Sequence, residues 1–116
     1  MIESSVYQAL QSLVGGRCYP LQMPQNPQYP TLVYSRIASE PKNRLQGGAS
    51  LDQVRIQVDC YAQTYDSAKT LSASVRQAME AAAFKATLQS DMDIFEGDLN
   101  NIYRVMMDFY VWQQNG

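Results

Sequence analysis

Two hydrophobic periods divide this 116-residue chain. Val6, Ala9, Leu10, Leu13 and Val14 recur at helical spacing after Ser4, a residue suited to capping, and Gly15-Gly16 stops the run. A second helix is predicted from Asp66, read as its cap, to Ala83. Its stripe is Ala68, Leu71, Val75, Ala78, Met79 and Ala82, with Lys69, Arg76 and Glu80 facing away.

The other segments alternate with a period of two. Thr31 to Ala38 is predicted as a strand, with Val33 and Ile37 on one face and Leu32, Tyr34 and Arg36 on the other. Leu51 to Gln63 alternates most cleanly: Val54, Ile56, Val58, Cys60 and Ala62 make an apolar face against Gln53, Arg55, Gln57, Asp59 and Tyr61. Thr87 to Phe95 and Ile102 to Trp112 read as a hairpin turning through 97–101. In its second arm Tyr103, Val105, Met107, Phe109 and Val111 oppose Arg104, Met106, Asp108, Tyr110 and Trp112, so both faces carry bulk. Such a strand is sandwiched in the fold or exposes one face to a neighbouring subunit.

The remaining segments connect. Arg17 to Leu21 reads as a brief strand, and Pro24, Pro27 and Pro30 make the next stretch an extended link. Ser39 to Ser50, with Pro41 and Gly47-Gly48, is expected to be an exposed, flexible loop. The pattern predicts one α+β domain over residues 1–116: a mixed, mainly antiparallel sheet of about four to five strands packed by two helices. Roughly two-thirds of the unfolded surface would be buried at this size, enough for one core.

Composition narrows the function. Hydrophobic residues make up 46% of the chain and charged residues 17%, so some surface is expected to be covered by partners. The net charge is −2 and the cations are scattered, against sequence-specific nucleic-acid binding. The first residues lack the basic and apolar regions of a secretory signal, and no apolar run is long enough to cross a bilayer, which points to the cytosol and no membrane. Cys18 and Cys60 read as small buried hydrophobes.

The chain has no histidine, which removes the commonest general base and metal ligand. No catalytic residue, cofactor site or metal site is expected. Asp91, Asp93, Glu96 and Asp98 are the one acidic cluster, but Phe95 and Glu96 stand where a calcium loop needs a ligand and a glycine. Neither glycine pair continues as a phosphate loop. Lys42 and Arg44, flanked by Arg36 and Arg55, are candidates for touching a partner or lining a lumen if several copies converge.

The strings Gln-Val-Arg-Ile-Gln-Val-Asp-Cys-Tyr-Ala (53–62) and Tyr-Arg-Val-Met-Met-Asp-Phe-Tyr-Val-Trp (103–112), with Tyr19-Pro20, Tyr29-Pro30 and this order of elements, resemble the tail-completion or tail-terminator proteins of long-tailed bacteriophages. The resemblance covers nearly the whole chain. It implies a virion protein made in the bacterial cytoplasm: a homo-oligomer, a hexameric ring, that caps the tail tube, ends its polymerisation and meets the head connector. DNA would pass through the opening without being read. Arg104, Met106, Tyr110 and Trp112 are then the candidate subunit interface. The alternatives are a head-completion or adaptor protein of the same junction, or a small ligand-binding module with the aromatic face as a pocket.

Overall fold

The computed structural model describes residues 2–42, 50–82, 84, 86–96 and 101–115. Helix α1 spans Ile2–Leu10 and tightens into a 3-10 turn over Gln11–Val14. Strands β1 (Cys18–Pro20), β2 (Thr31–Lys42) and β3 (Ser50–Ala62) follow. Helix α2 (Tyr65–Ala81), β4 (Thr87–Glu96) and β5 (Ile102–Asn115) complete the order.

The strands form one sheet in the order β1-β2-β3-β5-β4. β1 pairs parallel with β2, and every other pair is antiparallel, so the fold is α+β with a mixed, mainly antiparallel sheet. β3, α2 and β4 make a crossover unit split by β5, which inserts between its two strands. Thirteen residues of β3 at the usual rise account for ~43 Å, most of the 53 Å length of the molecule.

Both helices lie on one side of the sheet. Val6, Leu10 and Val14 from the first helical segment and Ala68, Leu71, Val75 and Met79 from α2 join Val54, Ile56, Val58 and Cys60 in the main core. Val105, Met107, Phe109 and Val111 of β5 complete that layer, as the alternation predicts. Gly15 (φ 58°) and Gly16 (φ 87°) turn the chain out of the first helical segment, in a conformation that costs glycine little.

Several local expectations are corrected. Ser4 lies inside α1, which begins by Ile2. Leu13 is partly exposed because the 3-10 turn advances three residues per revolution, so Val14 reaches the core and Leu13 swings away. The cap of α2 is Thr64, whose Oγ1 accepts from Ser67 N at 3.1 Å, while Asp66 occupies the first turn and complements the helix dipole. The loop predicted over 39–50 is strand at both of its ends: β2 runs through Lys42 and β3 starts at Ser50, with Ser39 paired to Val54 and Lys42 to Leu51. A facing strand supplies the backbone partners that weak local propensity does not announce, and Pro41 is tolerated on a rim strand. Residues 43–49 of that loop, Arg44 among them, and the turn at 97–100 fall outside the described residues.

Ile37 does not share the face of Val33. The register shifts between Arg36 and Ala38, which makes Ile37 the extra residue of a bulge and leaves it 47% exposed. β5 continues beyond Trp112 to Asn115.

Burial pushes the Cys18 thiol up to about 11 and the Cys60 thiol higher still. Both are buried, so a native thiol-labelling assay is expected to stay at baseline until denaturant unfolds the chain. Rapid labelling of the native protein would contradict this core.

Candidate assembly surface

The helix-free face of the sheet presents the other register of β3 and β5. At one end the proline-rich link folds over it: Met23 and Tyr29 pack on Val33, Tyr61 and Ile102 in a second, smaller cluster. The Tyr29-Pro30 peptide is cis, and Thr31 Oγ1 donates to Gln28 O beside it. Its prolines mark this link as connection alone, and its apolar pair Met23 and Tyr29 is the sequence signal for the packing.

Next along the face lies a charged pair held within the sheet. The Asp59 side chain is only 6% exposed and that of Arg104 22%, with Arg104 Nη2 3.2 Å from Asp59 Oδ1. Arg104 Nε donates to the same oxygen at 3.2 Å, and Gln57 Nε2 donates to both Asp59 oxygens at 3.1 and 3.2 Å. The guanidinium also lies 5.5 Å from the Tyr61 ring centroid, in cation–π range. Further on, Arg55 Nη2 meets Asp108 Oδ2 at 3.0 Å, and Ser90 Oγ donates to the same oxygen at 3.4 Å. The hydrogen bond and charge of Asp108 hold Arg55 still more firmly protonated than usual.

The other large side chains of this face lie between and beyond these pairs. Met106 and Tyr110 are half-buried, whereas Trp112 is 43% exposed, and in register Trp112 stands opposite Gln53 and Tyr110 opposite Arg55. The four residues singled out from sequence therefore share one strand and one face. Arg104 differs from the rest because its guanidinium is engaged inside the chain. Met92 of β4, opposite Met106 and 55% exposed, belongs with the group and was missed. Its position on an acidic strand hid it.

The cations flanking the predicted loop are engaged too: Arg55 as described, and Arg36, whose Nε is 3.6 Å from Glu3 Oε2. Lys42 sits at the end of β2, in the strand and not in a loop. The acidic run lies along β4, where Tyr65 Oη donates to Asp93 at 2.7 Å and Lys69 Nζ at 3.1 Å. Those two bonds hold the Asp93 carboxyl below its ordinary range. Among the described residues no three Cys, Asp or Glu side chains converge as metal ligands. An open cleft of about 690 Å³ lies on the helix side, lined by Ser5, Gln8, Ala9, Phe84 and three alanines of α2 and its end, with no ionisable group. No helix among the described residues is long and apolar enough to cross a membrane.

A solved structure titled virion of native gene transfer agent particle contains a chain of similar fold: TM-score 0.67 and 15% identity, covering 98% of this chain and 95% of that one. No curated protein sequence matches. The family model described as tail completion protein gp17 matches residues 6–114, from α1 through both faces of β3 and β5. The chain belongs to the tail completion protein gp17 family, structural and non-enzymatic components of phage-like tails.

Proposed function

We propose that this tail completion protein acts as the terminator: copies close into a ring, six in number by the resemblance, that caps the tail tube, ends its polymerisation and offers a joining surface to the head connector. DNA passes through the opening, contacted through its charge and not its sequence. Residues 1–116 act as one domain in this reading, and Lys42 and Arg44 are its candidates for touching the lumen or a partner. The observation that carries it is the half-covered sheet: helices bury one face, while on the other Met106 and Tyr110 are only half-buried and Trp112 is 43% exposed. An aromatic face of this kind, depleted of lysine, has the composition of a protein contact. Two ion pairs cross it, where a ligand pocket would be mostly apolar.

Electron microscopy of the purified protein, alone and with tail tubes, tests this. Rings, or density on one tube end, are expected; monomers that ignore tubes would overturn it. Binding to the connector in preference to the tube end would favour the adaptor role. Trp112→Ala is expected to keep its fold, because the side chain is substantially exposed, and to weaken ring formation by about 30-fold or more if Trp112 is an anchor of the contact. Unaltered rings in that variant would remove Trp112 from the interface.

A further inference from the structure

The sheet ends in two unlike rims. β4 is the outer strand on one side. On the other, β1 covers β2 only from Leu32 to Tyr34, so from Ser35 onward β2 is itself the rim. Rim strands ordinarily carry charge and bulges that discourage pairing with another chain. Both rims have a bulge, at Arg36/Ala38 and at Leu88/Ser90. Protection does not account for their large exposed apolar groups: Met92 (55%) and Phe95 (56%) on β4, Ile37 (47%) on β2, and Leu21 (75%) just after β1. Leu21 is held at φ 69°, a left-handed conformation rare for a bulky side chain.

The rims also differ in charge. β4 carries Asp91, Asp93 and Glu96 and no cation, with Asp93 held by Lys69 of α2, whereas β2 beyond Tyr34 carries Arg36, which Glu3 pairs, and Lys42 against Glu40. Across the sheet β2 opposes β3, β3 opposes β5 and β5 opposes β4, so β4 runs antiparallel to β2. A second copy placed alongside in the same orientation brings these strands together antiparallel, the more stable sense of pairing. Joining β4 to β4 would instead set acid against acid.

We propose that β4 of each copy docks along the β1–β2 rim of the next copy, and that this repeated head-to-tail contact closes the ring. The inference rests on the assembly reading above and names the two surfaces that reading leaves open. A contact between unlike surfaces generates a closed ring when its rotation closes. Ile37 packs on Met92, and Asp91, on the opposite face of β4, approaches Arg36. Met106, beside Met92, carries the contact onto the open face.

Site-directed cross-linking separates this inference from the assembly reading. The native thiols are buried, so Ile37→Cys and Met92→Cys supply the reactive ones. With a short bismaleimide, the double variant is expected to give a ladder of covalent multimers ending at the ring's copy number, and each single variant to remain monomeric on a denaturing gel. Rings visible by microscopy without a ladder, or dimers from Met92→Cys alone, would overturn the rim contact while leaving the ring. Neither rings nor ladder, with tubes present, would overturn both. If the double variant fails to fold, Asp91→Lys, at an exposed position, is expected to raise the concentration needed for rings about tenfold by setting like charges together. Unchanged assembly of Asp91→Lys would count as overturning the contact.

Discussion

Val58→Asp is expected to abolish folding. Val58 is fully buried on the helix side of β3, opposite Tyr34 on β2 and Met107 on β5, in the middle of the main core. Removing its apolar burial costs about 1.5–3 kcal/mol. The replacement also places a carboxylate in a core of buried apolar side chains, and an unpaired polar group there costs several kcal/mol more. A domain of this size has a margin of about 5–15 kcal/mol, so most of it would be spent at one position. Circular dichroism should show no cooperative melt at the wild-type midpoint. An unchanged transition would refute the placement of β3 at the centre of the core.

Arg104→Met is expected to destabilise the fold by about 2–4 kcal/mol, a loss that chemical denaturation can measure. The cost comes less from the lost bond than from what remains: the Asp59 side chain, 6% exposed, is left with Gln57 as the remaining donor among those described. Removing one member of a buried pair typically costs about 3–5 kcal/mol. Partial exposure of Arg104, which lets water approach, lowers that figure here. Adding Asp59→Leu should recover much of the loss, since Val33 lies opposite Asp59 and a matched apolar pair is often as stable as the ions it replaces. A single variant costing under about 0.5 kcal/mol, or a double variant no better than the single, would show that the pair is solvated and peripheral.

The same pair illustrates what could be read in advance. Arg55 and Asp59 are four residues apart on β3, as are Arg104 and Asp108 on β5. Laid antiparallel, these put each cation diagonally across from an acid, within reach of a long side chain. The spacing was legible; the pairing was not, because nothing in the alternation of either strand says that β5 and not β4 lies beside β3. The interface candidates show the same division. Met106, Tyr110 and Trp112 share a face by period alone, but the withdrawal of Arg104 into an internal pair and the arrival of Met92 beside Met106 depend on strand neighbours.

Local sequence determined the elements whose signal is local. Gly15-Gly16 ends the first helical segment, the stripe from Ala68 to Met79 makes α2, and Val54 to Ala62 face the core because a period of two permits no other shared face. It also determined what the chain lacks, since a protein without histidine has few routes to acid–base catalysis. Tertiary structure decided the rest. It carried β2 through a proline to Lys42, since β3 supplied backbone partners, and it moved Ile37 out of its alternation by a bulge. It placed β5 between β3 and β4 and left two unlike rims exposed. Two long strands alternating in sequence announce that a face exists; which face remains open is settled only when helices and neighbouring strands compete to cover it.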